Sequence, residues 1–447
     1  MTPVRSVSFQ RTIPIRHEVD VFVAGGGPAG FAAALVAARQ GRRVYVAEGT
    51  ACFGGMGTSG LVPAFMQFGD GEHFDAGGVG REIYDRLWDM DAAGPRDKRD
   101  FGCCRLSIRV EALKRLYDLI AEASGLDFTF HTQLIAVEGT DGCATHAFCF
   151  GKSGLFAVRA KLFVDGTGDG DLAAWAGAPF AKGDEEGRMM PGTLCSLWAD
   201  VDWDTVHKSG LGAGGARLKE AFLDEVFSVE DRHLPGMWCV GEHVGGGNIG
   251  HTYDVDGTDE RSLTKALVRG RKRMVEYERY YKEYMKGFEK MELVGTGALL
   301  GLRETRRILG DYVLSLKDFK SRAVFDDEIG RYCYPVDIHA SSPDEEAFDQ
   351  FEEEFRNLRY EKGESYGIPY RILTPLGLDN VLVAGRCVSS DRYILGSIRV
   401  MPGCYITGQA AGMAAAMAVE KNTSTRGIDV KELQERLKEL GAFLPNA

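Results

Sequence analysis

The alternation of apolar and polar positions predicts a strand, a helix and a second strand within the first fifty residues. Apolar side chains recur at every second position over residues 19–23, an alanine-rich stretch extends to about residue 40, and residues 44–46 are again apolar. A period of two is typical of a strand, and an apolar stretch of that greater length is typical of a helix. Because a glycine-rich segment, residues 25–30, separates the first strand from the helix, the pattern predicts a β–α–β unit.

Similar patterns predict elements along the rest of the chain. Residues 109–123 place Val110, Leu113 and Leu116 on one face and form an amphipathic helix pattern. Further helices are predicted at residues 80–90, from residue 172, at residues 261–291 and at residues 405–420. Further strands are predicted at residues 128–130, 134–138, 147–150, 160–165 and 380–385. Glycine runs at residues 212–215 and 245–247 follow no clear strand, and an acidic run at residues 344–354 indicates a solvated helix face.

The order of these elements predicts an α/β fold with a discontinuous first lobe. From about residue 183 the chain gains aromatic residues and mixed charge, and the strand–glycine–helix pattern returns near its end. We therefore expect a Rossmann-like lobe built from residues 1–182 and 371–447. Residues 183–370 are expected to form an inserted α+β lobe that caps the substrate.

Composition indicates which kinds of ligand or surface the protein binds. The chain has 57 glycines among 447 residues, about twice the average share, which suits a backbone that approaches a large ligand closely. The net charge of −12 argues against a nucleic-acid or anionic membrane surface. Since a membrane-spanning helix needs about 18 or more apolar residues in a row and the chain has no such run, no membrane association is expected. The alanine-rich run at residues 410–419 is interpreted as a buried helix.

The cysteine pattern indicates reduced thiols and a cytoplasmic location. The ten cysteines are scattered without a CxxC pair, and Cys103 and Cys104 are adjacent. Such spacing favours neither a disulfide framework nor a zinc site, so no metal is expected. Residues 1–17 lack the apolar segment of a signal peptide.

The glycine-rich segment carries the chemistry of dinucleotide binding. Gly25 permits a tight turn, Gly27 lets backbone N–H groups approach a pyrophosphate, and Gly30 lets the helix pack closely on the strand. The helix N-terminus offers partial positive charge to the phosphates. Glu48 lies 18 residues after Gly30, close to the expected position of an acid that binds a ribose hydroxyl.

Five blocks together resemble the FAD-dependent oxidoreductases related to glutathione-reductase-type flavoproteins, and more distantly fumarate reductase. The blocks are residues 25–30 with Glu48, residues 54–58, residues 164–171, residues 301–307, and residues 382–386 with 397–412. The resemblance implies non-covalently bound FAD and redox chemistry, without naming a substrate. The residues expected to bind the cofactor are Gly25, Gly27, Pro28, Ala29, Gly30, Glu48, Gly55, Met56, Thr58, Thr167, Gly168, Asp169, Gly385, Arg386, Gly403 and Cys404.

Two features of related flavoproteins are missing from the sequence. The CxxxxC pair of the disulfide reductases has no counterpart after Gly55, so a dithiol mechanism is not expected. Cys52 is a lone thiol before this loop, either a buried apolar side chain or a point of covalent flavin attachment. Residues 212–215 lack a preceding strand and a following acid, which indicates a loop rather than a second nucleotide site.

Candidates for substrate chemistry come from the predicted cap and the C-terminal block. Arg303 and Arg307 are four positions apart and are predicted to share one helix face, where they would bind an anion or form salt bridges. The helix that opens near Gly403 is expected to point its N-terminus at the flavin ring, with Tyr393 and Arg399 beside it. Histidine is the natural proton-transfer group near neutral pH. The histidine candidates are His251 and His339.

The sequence thus predicts an FAD-dependent oxidoreductase that transfers a hydride between the flavin and a small polar substrate. An unidentified electron donor or acceptor completes the cycle, and the oligomeric state is not predicted. Two alternatives stay open: a flavin-binding sensor or assembly protein without turnover, and a flavin-dependent tRNA-modifying enzyme. The acidic net charge counts against a tRNA partner.

Overall fold

The computed structural model describes residues 7–100, 105–234, 236–343, 353–355 and 357–447. The adjacent cysteines Cys103 and Cys104 and residues 344–352 of the predicted acidic helix face lie outside this part of the chain. Within it, no helix combines the length and apolar character needed to cross a membrane. The cysteines that the structure describes are free thiols.

The strands are short in the second half of the chain and long at the centre of the main sheet. They are β1 (Ile15–Ala24), β2 (Val44–Ala47), β3 (Ala64–Phe65), β4 (Leu106–Ser107), β5 (Asp127–Thr129), β6 (Gln133–Thr140), β7 (Cys143–Gly151), β8 (Gly154–Asp165), β9 (Phe180–Lys182), β10 (Ser196–Ala199), β11 (Met237–Gly241), β12 (Val244–Gly247), β13 (Glu292–Thr296), β14 (Arg306–Ile308), β15 (Glu328–Tyr332), β16 (Tyr366–Pro369) and β17 (Val381–Val383).

The helices follow the predicted positions closely in the first lobe. They are α1 (Pro28–Arg39), α2 (Val79–Asp89), α3 (Val110–Ala123), α4 (Asp171–Trp175), α5 (Trp203–Ser209), α6 (Ala216–Leu223), α7 (Glu260–Tyr284), α8 (Leu316–Ser321), α9 (Arg392–Ile398), α10 (Met401–Lys421) and α11 (Val430–Glu439).

A twisted seven-stranded sheet forms the centre of the first lobe. Strands β5, β2, β1, β8 and β17 lie side by side in that order and are parallel. The first half of β8 also pairs antiparallel with β7, which pairs with β6. Val21 of β1 lies between Val44 of β2 and Leu162 of β8. Because parallel strands carry their carboxyl ends to one edge of the sheet, the loops after β1, β8 and β17 meet there. The predicted Rossmann-type α/β fold is confirmed.

Two glycines let α10 cross directly over α1. A Cβ on Gly408 would lie 2.2 Å from the carbonyl oxygen of Ala29, and one on Gly412 would lie 2.2 Å from that of Ala33. Every residue of α10 from Met401 to Ala418 is buried, as expected of a helix that is apolar on all sides. The alanine-rich run predicted as a buried helix is thus confirmed.

The second lobe has its own sheet and its own apolar core. Strands β11, β12, β10 and β13 form an antiparallel sheet. Its core is built around Trp198, Tyr280 and Met291. Residues 245–247, a glycine run that follows no clear strand in the sequence pattern, belong to β12, because a partner on each side supplies the backbone bonds. Residues 212–215 form a turn before α6, as predicted.

The long charged helix is shorter than predicted. Helix α7 ends at Tyr284, where the next residue, Met285, adopts an extended conformation. Gly287 then takes a φ of 91°, a left-handed conformation that favours glycine. The chain therefore turns before β13 instead of continuing to residue 291.

Apolar packing favours a smaller inserted lobe than the sequence indicates. The core of the second lobe draws on residues from Leu194 to Leu300. Side chains from Ile308 to Phe355 pack instead in the core of the first lobe. The boundaries at residues 183–370 stay a prediction, and this packing favours an insert of about residues 190–302.

The contact between α1 and α10 is a direct target for mutation. We expect Gly412→Val to lower the free energy of unfolding by about 3 kcal/mol, the upper end for forcing bulk into a packed core. A Cβ at this position would overlap the carbonyl oxygen of Ala33, 2.2 Å away. The matched control is Gly212→Val, where a Cβ meets nothing within 4 Å. Thermal unfolding of both variants checks the prediction, and equal midpoints would contradict the close helix contact.

Candidate functional site

Three glycines join the loop after β1 to the end of β8. Gly25 has a φ of 84°, and a Cβ there would lie 2.7 Å from the carbonyl oxygen of Gly166. A Cβ on Gly30 would lie 1.9 Å from the carbonyl oxygen of Gly25, and one on Gly166 would lie 2.6 Å from the Cα of Gly30. The roles predicted for Gly25 in the turn and for Gly30 in close packing match this geometry.

Gly27 differs from its neighbours because its open side faces a cavity. The nearest atom to a Cβ at this position is the Gly166 carbonyl oxygen, 3.9 Å away. Gly27 is the N-cap of α1, makes no side-chain capping bond and precedes Pro28 at the first turn. The first backbone N–H groups of a helix have no partner within the helix, so this end of α1 offers donors and partial positive charge to a ligand.

Helix α10 presents a second N-terminus to the same cavity. It begins at Met401 after the N-cap Val400, again without a side-chain capping bond. The predicted start near Gly403 is therefore two residues late, because Pro402 lies in the first turn, where proline is favoured. Val400, Met401 and Cys404 line the cavity.

The cavity has a volume of about 870 Å³ and lies between the two lobes. It runs from the glycine loop and Glu48 to Arg303, Arg399 and His339. The predicted cofactor residues that line it are Gly25, Gly27, Pro28, Ala29, Glu48, Gly55, Met56, Thr167, Gly168, Asp169, Gly385, Arg386 and Cys404.

Three predicted cofactor residues and Cys52 lie behind this lining. Gly30 packs the helix on the strand, the Thr58 hydroxyl donates to the carbonyl oxygen of Phe53 at 2.6 Å, and Gly403 packs against Ile398. The thiol of Cys52 lies 3.4 Å from the Ser59 hydroxyl and does not line the cavity. That position favours the buried apolar thiol over the covalent flavin attachment.

Glu48 ties the glycine loop to the end of β2. One carboxylate oxygen accepts from the Gly26 N–H at 2.6 Å, and the other accepts from the Thr50 N–H at 2.7 Å. Each carboxylate oxygen has two lone pairs, so capacity to accept from a ribose hydroxyl is left. Glu48 is buried and lines the cavity.

Asp165, at the end of β8, shapes the adjacent loop. Its carboxylate accepts from the N–H and the hydroxyl of Thr167, at 3.0 and 2.6 Å, and from the N–H of Ala173 in α4 at 2.9 Å. Full burial raises the pKa of this carboxyl to about 6, although the three donors oppose the rise. Asp165 was not among the predicted site residues, since a strand-ending aspartate alone does not show how deeply it is buried.

The block at residues 301–307 holds the following loop in place, but it is not a helix. Residues Arg306–Ile308 form β14, which pairs with Phe180–Lys182. The prediction that Arg303 and Arg307 share a helix face is therefore wrong. Local helix preference is weak and is overridden where a partner strand supplies the backbone hydrogen bonds.

Asp169 is the centre of a charged cluster at the cavity wall. Arg386 donates to its carboxylate at 2.6 Å and to the carbonyl oxygen of Gly168 at 2.9 Å. The Thr305 hydroxyl donates to the same carboxylate oxygen at 2.8 Å, and Arg306 donates to the Asp169 carbonyl oxygen at 3.0 Å. The block thus fixes the loop that lines the cavity.

Arg303 and Arg399 lie at the far end of the cavity. Arg303 donates through Nη1 to the Pro191 carbonyl oxygen and to the Thr193 hydroxyl, both at 2.9 Å. Burial, helped by the charge of Arg399, lowers the pKa of Arg303 to about 10. Arg399 donates through Nη2 to the carbonyl oxygen of Asp337 at 2.7 Å. The two predicted arginines are therefore brought together.

Arg307 and Tyr393 are placed elsewhere. Arg307 forms an ion pair with Glu304 and donates to the Gly183 carbonyl oxygen at 3.1 Å. Tyr393 is 39% exposed and packs on the ring of Phe355. Neither residue is among the described residues that line the cavity.

The two predicted histidines meet, although 88 residues separate them in the chain. Nε2 of His251 lies 2.9 Å from Nδ1 of His339. His233, which the sequence analysis did not single out, stacks on His251 with ring centroids 5.0 Å apart. Burial lowers the pKa of all three imidazoles, that of His233 to about 4. No motif could have revealed the group, because its members come from three separate loops.

Carboxylates flank this histidine cluster, which we define as His233, His251 and His339. Asp231 lies 3.2 Å from Nδ1 of His251, and Asp337 lies 3.4 Å from Nε2 of His339. Burial opposes ionisation of both carboxyls, but the histidine beside each one lowers its pKa below the ordinary value. Both groups are therefore carboxylates at neutral pH.

The parallel sheet, the glycine loop at a helix N-terminus and a large cavity at the carboxyl ends of the strands define a dinucleotide-binding protein. The sequence matches the FAD dependent oxidoreductase family over residues 20–437. The chain belongs to this family and is an FAD-dependent enzyme, which confirms the broader part of the resemblance. No curated protein matches it.

Solved structures with a similar fold share little sequence with the chain. A p-nitrophenol 4-monooxygenase from Pseudomonas putida is 12% identical, covers 95% of this chain and 87% of its own, and gives a TM-score of 0.51. A geranylgeranyl bacteriochlorophyll reductase-like protein from Thermoplasma acidophilum is 14% identical, with coverage of 95% and 83% and a TM-score of 0.49. A flavin-dependent brominase, Bmp2, is 13% identical, with coverage of 94% and 83% and a TM-score of 0.46. At an identity this low, the p-nitrophenol 4-monooxygenase supports the fold alone.

The open side of Gly27 provides a test that separates binding from folding. We expect Gly27→Val to give folded, colourless protein, because the added side chain would occupy the space where the pyrophosphate approaches, with no protein atom nearer than 3.9 Å to its Cβ. Absorbance near the flavin bands measures cofactor binding, and circular dichroism measures folding. The control Gly212→Val should purify yellow. A fully yellow Gly27→Val protein would refute the placement of the cofactor.

Asp165 makes stability depend on pH. Its pKa is raised from 3.8 to about 6, so its favourable contribution is complete below pH 4 and is lost as pH rises through 6. Asp165→Asn removes acceptors, so we expect this variant to be less stable than the wild type at pH 4. At pH 7.5 the difference should narrow by about 2 kcal/mol, since one pKa unit corresponds to about 1.4 kcal/mol and the unfolded carboxyl is already partly ionised at pH 4. Urea unfolding at both pH values measures it, and an unchanged difference would show that the carboxyl is ionised throughout.

Proposed function

We propose that this FAD-dependent oxidoreductase transfers a hydride between the flavin and a small polar organic substrate that carries a carboxylate or a similar anionic group. The observation that carries the proposal is the pair of arginines at one end of the cavity, Arg303, which is buried, and Arg399, which is mostly buried. Their guanidinium groups have N–H donors that the described part of the chain does not use. A buried cation with free donors calls for an anionic partner.

Arg303 has N–H donors that no described residue uses. Both of its hydrogen bonds to described residues come from Nη1, whereas a guanidinium offers five donors. A pKa of about 10 keeps the group protonated at neutral pH. A carboxylate can accept two parallel bonds from the planar fork of an arginine, so Arg303 is suited to orient one end of such a substrate.

Arg399 supplies a second donor set. Its Nε is buried and has no partner among the described residues, and Nη2 is bound to Asp337. Asp337 thus holds the guanidinium through Nη2, and Nη1 makes no hydrogen bond to a described residue. Arg399 already has the Asp337 carboxylate 3.4 Å from Nη2, whereas Arg303 forms no ion pair with a described residue, so Arg303 is the arginine that favours an anionic substrate over a neutral one.

The other end of the cavity suits the cofactor. We place the pyrophosphate at the N-terminus of α1 beside Gly27 and the ribose beside Glu48. Bound FAD supplies a flavin ring that exchanges a hydride with the substrate. The N-terminus of α10 would stabilise negative charge on that ring. We retain Arg303, Arg399 and His339 at the substrate end because they line the cavity.

The remaining predicted residues take supporting positions in this proposal. Arg307 holds Glu304, whose second carboxylate oxygen accepts from the Met190 N–H at 3.1 Å and from Arg392 at 3.2 Å. Family membership favours an enzyme over a sensor without turnover. A tRNA substrate remains disfavoured by the net charge of −12. The electron donor or acceptor is a further, unidentified partner.

A substrate screen tests the proposal. Under anaerobic conditions we expect small carboxylates to bleach the oxidised flavin, or to reoxidise the reduced flavin, whereas their amides do not. Arg303→Met should raise the KM of a responding carboxylate by about 10–100-fold, the equivalent of a lost charge-assisted hydrogen bond. The matched control is Arg271→Met, which replaces an exposed arginine of α7. Equal responses to acids and amides, with an unchanged KM in Arg303→Met, would contradict an anionic substrate.

A further inference from the structure

The histidine cluster brings three imidazoles to one point. His233 lies in the segment after α6, His251 follows β12, and His339 follows β15. One ring nitrogen of each lies within 4.8 Å of one ring nitrogen of each of the others. His339 lines the large cavity, and His233 and His251 line a small cavity next to it. The cluster therefore forms part of the wall between the two cavities.

Two of the imidazoles are held by a carboxylate on the ring nitrogen that faces away from the centre. Nδ1 of His251 lies 3.2 Å from Asp231, and Nε2 of His339 lies 3.4 Å from Asp337. A carboxylate can only accept a hydrogen bond, so the ring proton of His251 belongs on Nδ1 beside Asp231, and the negative charge of Asp337 favours the ring proton of His339 on Nε2. This arrangement, with a carboxylate behind each imidazole, is typical of metal-binding histidines.

Two ring nitrogens of the histidine cluster face each other. Nε2 of His251 and Nδ1 of His339 are 2.9 Å apart. When both rings carry their proton on the other nitrogen, each of these two atoms presents a lone pair, and two lone pairs repel. A proton or a metal cation between them removes the repulsion. The third imidazole, His233, favours the metal, because it brings a further ring nitrogen to the same point, which a metal ion uses and a proton shared by two nitrogens does not.

Asp231 is a buried carboxylate that contacts the outer side of the cluster. Both of its oxygens lie 3.2 Å from Nδ1 of His251, and Oδ1 also accepts from the backbone N–H of His233 and from the Tyr253 hydroxyl, each at 3.1 Å. Buried charges are usually paired with an opposite charge. A cation bound by the cluster would balance the carboxylates of Asp231 and Asp337.

We propose that His233, His251 and His339 bind one divalent transition-metal ion of the zinc class beside the substrate end of the large cavity. Three imidazoles with an open fourth position are a known ligand set of catalytic zinc sites. The cation would share the region with the charge of Arg303, so ions that bind mainly by charge, such as Mg²⁺ and Ca²⁺, are disfavoured. Ions that bond strongly to imidazole nitrogen are preferred.

A metal site at the histidine cluster differs from the expectation from sequence, which predicts no metal. It does not depend on the proposed substrate, since the site is defined by protein side chains alone. With a metal bound, His339 acts as a ligand rather than as the proton-transfer group predicted from sequence. Its imidazole would then have Nδ1 on the metal and Nε2 on Asp337.

Metal analysis of the FAD-loaded protein tests the inference. The full chain, purified without a histidine tag, is stripped with a chelator, dialysed against Zn²⁺ and analysed for bound metal. We expect about one Zn²⁺ per chain in the wild type. His233→Gln, His251→Gln and His339→Gln should each weaken Zn²⁺ binding by at least about 100-fold, and Asp231→Asn by about 10–100-fold. The control is His243→Gln, at an exposed position between β11 and β12, which should bind as the wild type does.

A second measurement on the wild type keeps the test independent of variant folding. X-ray absorption at the zinc edge should show three nitrogen ligands at about 2.0 Å. A wild type that takes up no Zn²⁺ would show that a proton joins the two histidines and would overturn the inference. Equal uptake by the wild type and the three histidine variants would show adventitious surface binding and would overturn it as well. FAD content and the response to carboxylates are measured separately, so failure of the metal site is distinguishable from failure of the proposed substrate class.

Discussion

The close backbone contact between the loop after β1 and the end of β8 is the constraint on which the cavity depends. Gly25, Gly30 and Gly166 interlock so closely that a Cβ on any of them would lie 1.9–2.7 Å from a backbone atom. The contact aligns α1 with the sheet and leaves Gly27 open to the cavity. Gly408 and Gly412 then allow α10 to lie on α1, so that a second helix N-terminus reaches the same space.

The opposite wall depends on charge rather than on small residues. Arg306 and Arg386 hold the loop around Asp169 through bonds of 2.6–3.0 Å. Arg303, from the same block, extends to the far end of the cavity, where Arg399 lies. One short segment thus fixes the loop at the cofactor end and supplies a cation at the proposed substrate end. The segment therefore fixes the position of the cofactor end of the cavity relative to the proposed substrate end.

The far end of the cavity is crowded with ionisable groups that are buried together. Burial lowers the pKa of the histidines, and hydrogen bonds from His251 and His339 together with the charges of nearby arginines lower the pKa of Asp231 and Asp337 against the effect of burial. Such a collection is expensive to bury and is found mainly where charge is put to use. The proposed metal ion and the proposed anionic substrate both follow from the same requirement, that buried lone pairs and buried cations need partners.

The sequence by itself determined the first lobe, the cofactor class and most of the residues that line the cofactor end of the cavity. These features are local, because a period of two, an alanine-rich helix and a glycine at a left-handed turn are dictated by backbone geometry within a few residues. The tertiary structure alone decided the substrate end. There, Arg306 and Arg307 form a strand because Phe180–Lys182 pairs with them. The helix predicted for this block is therefore wrong. His233, His251 and His339 meet because three distant loops pack at one wall, and no spacing along the chain records which loops become neighbours.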